Sequence, residues 1–267
     1  MAEGKARRDG LTGAQNLRTK HRIALDAPLD DILDLAEKRC GVPVAVLPRL
    51  GGDLAGAYVK DKSRCVILVN AEDPAPRMRF TLAHELGHHY FHHLERVPQL
   101  SGWGQITDTR EEIRHAHDWW EVQANAFAAE LLIPRPAVER WWAERGDPHI
   151  GLDTVVDLAC AFGTSALMAC IRLQTAEILT DANWAARLRD EINAGEHQAL
   201  ADCQAPYEDG LGAARETAPR IPPALAGTRL AAMARGDRSP EEIARKLGAP
   251  VAAFTEAMRG LGLVPRA

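Results

Sequence analysis

The residues best suited to chemistry stand together at His84-Glu85-Leu86-Gly87-His88. On a helix, positions four apart share one face, so two imidazoles one turn apart can hold a single zinc ion. The glutamate between them is displaced around the helix, beside the metal, where it can accept a proton from water. A polar surface helix carrying several histidines is the alternative for a motif this short. Composition points to the same region, because seven of the ten histidines lie between His84 and His117.

A catalytic zinc needs a third protein ligand and an open position. Glu121 opens a second strong helix, 33 residues after His88. A carboxylate there can complete a two-His, one-Glu set, the alternative being an acid favoured at a helix start by the dipole. Asn125, one turn on, points the same way, and its carbonyl oxygen can accept the Nδ1 proton of a ligand histidine and fix its tautomer. Val122, Ala126, Phe127 and Leu131 turn the other face to the core.

These positions need a framework. A helical stripe over 29–39 ends at Cys40-Gly41-Val42-Pro43, and residues 43–50 read as a short strand. Segments 56–59 and 65–69 flank a polar turn as a hairpin, the second strand apolar enough to be central. Residues 77–93 are helical, and Gly87 inside them implies close approach of another backbone. Residues 95–118 read as a polar, irregular bridge. Helices follow over 119–132 and 137–145, then two short ones around Gly163-Thr164-Ser165 in a helix-turn-helix-like pattern. Helical pieces over 183–196, 225–234 and 252–261, and a strong helix start at Ser239-Pro240-Glu241-Glu242, occupy the remainder, with a Pro/Gly-rich connector over 205–223.

The chain has 267 residues and a formal charge of -5, which excludes a strongly basic nucleic-acid binder but not a local basic patch. No apolar run has the length of a signal peptide or a membrane span, so a cytoplasmic location is expected. Five cysteines at irregular spacing, with no CxxC pair, read as small buried hydrophobes and not as disulfides or thiolate metal ligands.

The segment Arg79 to His88, followed by Glu121-Val122-Gln123-Ala124-Asn125-Ala126-Phe127-Ala128-Ala129-Glu130-Leu131-Leu132-Ile133-Pro134, resembles the ImmA/IrrE family of bacterial zinc metallopeptidases. The strand over 65–70 fits, as does Ala161-Phe162-Gly163-Thr164-Ser165 with Ile171-Arg172-Leu173. The resemblance covers roughly residues 25–175 and implies an α+β fold: a zincin-like, gluzincin-type core with a small sheet on the HExxH helix, then helix-turn-helix-like segments. The expected organisation is a loose leader over 1–20, the metallopeptidase domain over 21–149, the helix-turn-helix-like segment over 150–178 and a helical region of unassigned role over 179–267.

The resemblance also implies His84, His88 and Glu121 as zinc ligands, Glu85 as catalytic acid/base and Asn125 as the polar partner behind a ligand. One zinc ion is the expected cofactor, with Mn2+ as a substitute in vitro. The implied substrate is a protein, a helix-turn-helix repressor of a mobile element, phage or stress response.

An oxyanion needs a further donor beside the metal. His115 and His117 are the candidates, because Tyr90 falls on another face and reads as packing. His89, His92 and His93 read as surface residues. The competing function is a non-catalytic regulator, of the toxin–antitoxin kind for instance, that binds a repressor or DNA around a structural zinc. Arg172 is the only basic side chain of residues 162–173, so direct DNA binding is not favoured over a packed bundle or a protein-docking surface.

Overall fold

The computed structural model describes residues 2–47, 54–61, 64–98, 105–109, 116–146 and 149–200, with single positions at 113, 239, 241, 242 and 255. Helix α1 (Ala2–Lys20) is followed by a short α2 (Ile32–Asp34) that runs on as a π-helical turn, Leu35–Arg39. Three strands come next: β1 (Val44–Leu47), β2 (Leu54–Asp61) and β3 (Arg64–Asn70). Helix α3 (Ala75–Phe91), a single turn α4 (His93–Arg96) and strand β4 (Gln105–Thr109) complete the sheet side. The helical side holds α5 (Trp119–Leu132), α6 (Arg135–Arg145), α7 (Leu152–Phe162), α8 (Ala166–Thr175) and α9 (Ala182–Asn193). This is the zincin-like α+β core with a helical extension that the sequence implies.

The sheet runs β1-β3-β2-β4. β3 pairs parallel with β1 and antiparallel with β2, so the most apolar strand is central, as its composition predicts. β4 pairs antiparallel with β2 at one edge, and the register slips between Leu54 and Gly56, opposite Asp108 and Thr109. A bulge of this kind re-aims the side chains beside it. This strand corrects the expectation that residues 95–118 are all irregular. Its sequence, QITDT, is too polar to register as a strand, yet Ile106 and Asp108 both point inward with the two-residue period.

The first core lies between the sheet, α1, α3 and α5, around Tyr58, Ile67, Val69, Met78, Leu82, Leu86, Phe127 and Leu131. α3 is buried on every side from Met78 to His88 apart from the half-buried Phe80, the pattern of a core helix. Gly87 meets the expectation placed on it. A Cβ there would lie 3.2 Å from Phe127 Cδ1 and 3.3 Å from Ala124 Cα, so its absence lets α3 and α5 cross closely.

The loose leader expected over 1–20 is instead helix α1, laid along α5. Its buried stripe is Ala6, Gly10, Gly13, Ala14 and Leu17, and residues this small give little hydrophobic signal. At its end Arg18 is fully buried and donates from Nε to the Leu131 carbonyl (3.0 Å) and from Nη1 to that of Ala27 (3.1 Å). Burial lowers its pKa to about 10, which leaves the guanidinium charged.

The second core joins α6 to α9 through Val138, Val155, Leu158, Phe162, Cys170, Leu173, Leu188 and Ile192. α7 and α8 meet at 101°, the helix-turn-helix-like bend expected there, with Gly163 at φ +60° at the corner. Among the described residues no single helix is long and apolar enough to cross a membrane. Cys40, Cys65 and Cys170 are free thiols, but Cys160 is disulfide-bonded. That corrects the reading of all five cysteines as plain hydrophobes, since one bridge leaves no short spacing signal. The Ser239 hydroxyl accepts the Glu242 N–H (3.2 Å), the cap predicted there. Apart from positions 241 and 255, the rest of 201–267 lies outside the described residues.

The two cores are tied by a buried ion pair, Arg172 Nη2 to Glu130 Oε2 at 2.6 Å. Glu130 also accepts from Gln15 on α1 (2.9 Å). Removing one partner strands a buried charge, so Glu130→Leu should lower unfolding stability by about 3–5 kcal/mol. Pairing it with Arg172→Met should recover most of that loss, read as urea midpoints of both single variants and the double.

Candidate metal centre

His84 and His88 project from the buried middle of α3 with their Nε2 atoms 2.9 Å apart. Glu121, on the first turn of α5, brings Oε2 to 3.1 Å from His84 Nε2 and 3.4 Å from His88 Nε2. Asp108, from β4, brings Oδ2 to 3.6 and 3.8 Å of the same two nitrogens. All four donor atoms lie within 4.8 Å of one another, and all four residues are buried. A tetrahedral ion with ligands at about 2.0–2.2 Å has donor–donor edges of about 3.3–3.6 Å. The observed separations bracket that range.

The hydrogen bonds behind the rings decide what this cluster needs. Asn125 Nδ2 donates to the Ile113 carbonyl (2.8 Å), which turns Asn125 Oδ1 toward His84 Nδ1 (2.9 Å). His84 therefore carries its proton on Nδ1 and offers a lone pair at Nε2. Behind His88 stands His93, Nδ1 to Nδ1 at 2.9 Å, and His93 Nε2 lies 2.9 Å from Gln123 Oε1. Burial, reinforced by His88, holds the His93 pKa down to about 3, so it is neutral. With its proton on Nε2 toward Gln123, His93 accepts from His88 Nδ1–H, and His88 Nε2 is also bare.

Two lone pairs and two carboxylates thus converge on one buried point. Among the described residues, Asp108 Oδ2 and both oxygens of Glu85 meet no hydrogen-bond donor. Such a set is repulsive unless a cation sits within it. The donor types, spacing and tautomers fit zinc. In its absence a proton takes the role: burial opposes charge on His84, but Asp108 and Glu121 outweigh it and raise its pKa well above the ordinary value. Burial likewise opposes charge on Glu121, yet His88 and His84 hold its carboxyl well below the usual range.

Glu85, fully buried, packs down on β2. A Cβ at Gly56 would lie 2.8 Å from Glu85 Oε1 and 2.4 Å from Thr81 Cγ2, so only glycine leaves that space. Burial and the neighbouring Asp108 charge push the Glu85 pKa well up. A carboxyl whose pKa is raised in this way suits a group that takes up a proton and gives it back.

The structure thus brings together His84, Glu85, His88, Glu121 and Asn125, as the motif reading expects. His117 is exposed on the approach to α5, and His115 lies outside the described residues. Tyr90 packs on Phe127 with ring centroids 5.3 Å apart, as expected. Two participants escape the sequence reading. Asp108 sits on the strand that was missed. His93 corrects its reading as a surface residue: His92 takes a left-handed turn (φ +56°) that ends α3 and folds His93 back under His88.

Residues 37–174 match the family of the IrrE N-terminal-like domain. The chain belongs to this ImmA/IrrE family. It is 26% identical over 227 residues to the radiation response metalloprotease IrrE of Deinococcus deserti, covering 83% of this chain and 76% of that protein. It is 30% identical over 101 residues to an uncharacterized immunity region protein of Bacillus phage phi105, covering 38% of this chain and 58% of the phage protein. His84 and His88 of the His84-Glu85-x-x-His88 motif, with Asp108 and Glu121, form a cluster able to coordinate a metal ion, consistent with the zinc metallopeptidase site of this family.

Because Asp108 and Glu121 favour a proton on His84, zinc uptake should release protons, and affinity should climb with pH. Calorimetric titration in buffers of different ionisation enthalpy should give buffer-dependent heats, and buffer-independent heats would contradict the assignment. His93→Phe and Asn125→Ala should each weaken zinc binding by roughly 10–100-fold, since each frees the outer nitrogen of a ligand ring.

Proposed function

We propose that this protein is a zinc endopeptidase that cuts a helix-turn-helix transcriptional repressor. The observation that carries the peptidase reading is Glu85: a buried carboxyl with a raised pKa and, among the described residues, no hydrogen-bond donor, beside four convergent donors. A structural metal site has no use for such a group. Bound zinc supplies a Lewis acid that polarises the scissile carbonyl and acidifies water. Glu85 takes the proton of the attacking water and passes it to the leaving amine. His84 and His88 are aimed by Asn125 and His93, and Glu121 adds the negative charge that completes the ligand set. A further donor to the developing oxyanion is assigned to His115 or His117, on the segment that leads into α5.

The substrate reading rests on the surroundings. A cavity of about 550 Å3 adjoins the metal centre at Thr81 and Asn125 and runs past Phe80 to Met168 and Ile171 on α8. Its wall is therefore shared between the peptidase core and the helix-turn-helix-like segment. Arg172, the basic residue that α8 could have offered to DNA, is buried against Glu130. Ile171, by contrast, is 41% exposed. The α8 side of the cavity, Leu167, Met168 and Ile171 beside an Arg172 already paired with Glu130, suits a protein segment better than a phosphate backbone. The names of the two relatives, a radiation response metalloprotease and a phage immunity region protein, agree with an enzyme that acts on a regulator. Such a substrate places the protein in the cytoplasm.

Two variants test this reading. Glu85→Gln should retain zinc while cleavage of a co-encoded repressor falls by about 10^2–10^4-fold. Unchanged cleavage would remove Glu85 from the chemistry. Met168→Arg, in the groove wall, should leave zinc content intact and lower kcat/KM on the repressor by roughly tenfold or more. Equal kcat/KM would take the groove out of substrate binding.

A further inference from the structure

Two arginines that line the cavity beside the metal centre stand without a counter-ion. Arg7, exposed, comes from α1, and Arg77, half-buried, comes from the first turn of α3. Among the described residues neither guanidinium makes an ion pair or a hydrogen bond. Arg172 on the same wall differs, because Glu130 already neutralises it. Glu3, one turn before Arg7, is the single acid among the described residues that line the cavity, and it is exposed and joins no ion pair. α3 and α8 both begin at this cavity, through Pro76 and Arg77 and through Leu167 and Met168, and neither carries an acid in its first turn. A helix start favours negative charge, yet Arg77 adds a cation where the dipole is already positive. The wall is left with more positive charge than it balances.

We propose that Arg7 and Arg77 select the substrate by charge: the cavity takes an apolar segment of the repressor that carries an Asp or Glu about three residues from the bond that is cut. The spacing comes from α3. Arg77 precedes His84 by seven residues, two turns along one face, with Phe80 and Thr81 on the cavity wall between them. That is about 10 Å along the helix axis, a distance that an extended chain covers in about three residues. Leu167, Met168 and Ile171 of α8 supply apolar contacts for the residues between. An acid at that distance provides the anion that Arg77 and the two helix starts lack, and Arg7 adds to the attraction from α1. A Lys or Arg in its place meets like charge and is rejected. The inference rests on the peptidase reading of the metal centre and names the chemistry of its substrate.

The test uses the full-length zinc-loaded protein and the co-encoded repressor, with the cut located by mass spectrometry of the products. An Asp or Glu should lie about three residues from the cut. Arg77→Glu should keep its zinc and lose roughly tenfold or more in kcat/KM, with Arg77→Gln and Arg7→Glu losing less. A repressor with Lys in place of that acid should be cut poorly by wild type and better by Arg77→Glu, a reversal that a folding defect cannot produce. Equal kcat/KM for wild type and Arg77→Glu, or a cut with no acid within reach, would overturn the charge selection while leaving the peptidase standing. Wild type that binds a DNA duplex, with Arg77→Glu abolishing the binding, would assign the arginines to phosphates and overturn it as well. Zinc-loaded wild type that leaves the repressor whole would contradict the peptidase reading itself, and this inference would fall with it.

Discussion

Two imidazole nitrogens held 2.9 Å apart, with carboxylates on either side, form the constraint from which most of this structure follows. The arrangement is electrostatically unfavourable until a cation fills it, so the protein must hold it by force of packing. α3 is buried from Met78 to His88 apart from the half-buried Phe80, Gly87 lets it press against α5, and Gly56 lets Glu85 seat against β2. α1 clamps the far side of α5 through a stripe of small residues and the buried Arg18. Behind the rings, Asn125 and the His93–Gln123 pair decide where each proton sits. The fold spends its rigidity on the orientation of four donor atoms.

The helical extension belongs to the same design. Glu130, on the helix that supplies Glu121 and Asn125, is paired with Arg172 of α8 and bonded to Gln15 of α1. The helix bearing the third ligand is thereby locked both to the N-terminal helix and to the helix-turn-helix-like unit. With Arg172 paired to Glu130, α8 turns Leu167, Met168 and Ile171 to the cavity beside the candidate metal centre. In the proposed function, this segment with the outline of a DNA reader serves as a wall of the substrate groove, and the net charge of -5 accords with that use.

The metal ligands on helices were legible because helical spacing turns sequence distance into shared faces. HExxH and Glu121 with Asn125 satisfy that rule at short range. Gly87 was legible too, since a glycine inside a helix demands a close neighbour. Asp108 was not: a five-residue polar strand carries almost no hydrophobic pattern, and its position is set by pairing with β2 and by a bulge. His93 was hidden by a break in the helix, because His92 turns left-handed and moves its neighbour off the face that periodicity assigns. α1 was hidden because glycine and alanine can make a close helix contact with little hydrophobic signature. In each case tertiary pairing overrode local pattern.

The central claim is that the buried donors hold one zinc ion through oxygen and nitrogen alone, two of the ligands being imidazoles. Zinc K-edge X-ray absorption on the purified full-length protein measures this directly. The account predicts one zinc per chain, with a shell of about four nitrogen or oxygen neighbours at about 2.0–2.2 Å and the outer-shell scattering of two imidazole rings. A sulfur shell near 2.3 Å, or no stoichiometric zinc, would contradict it.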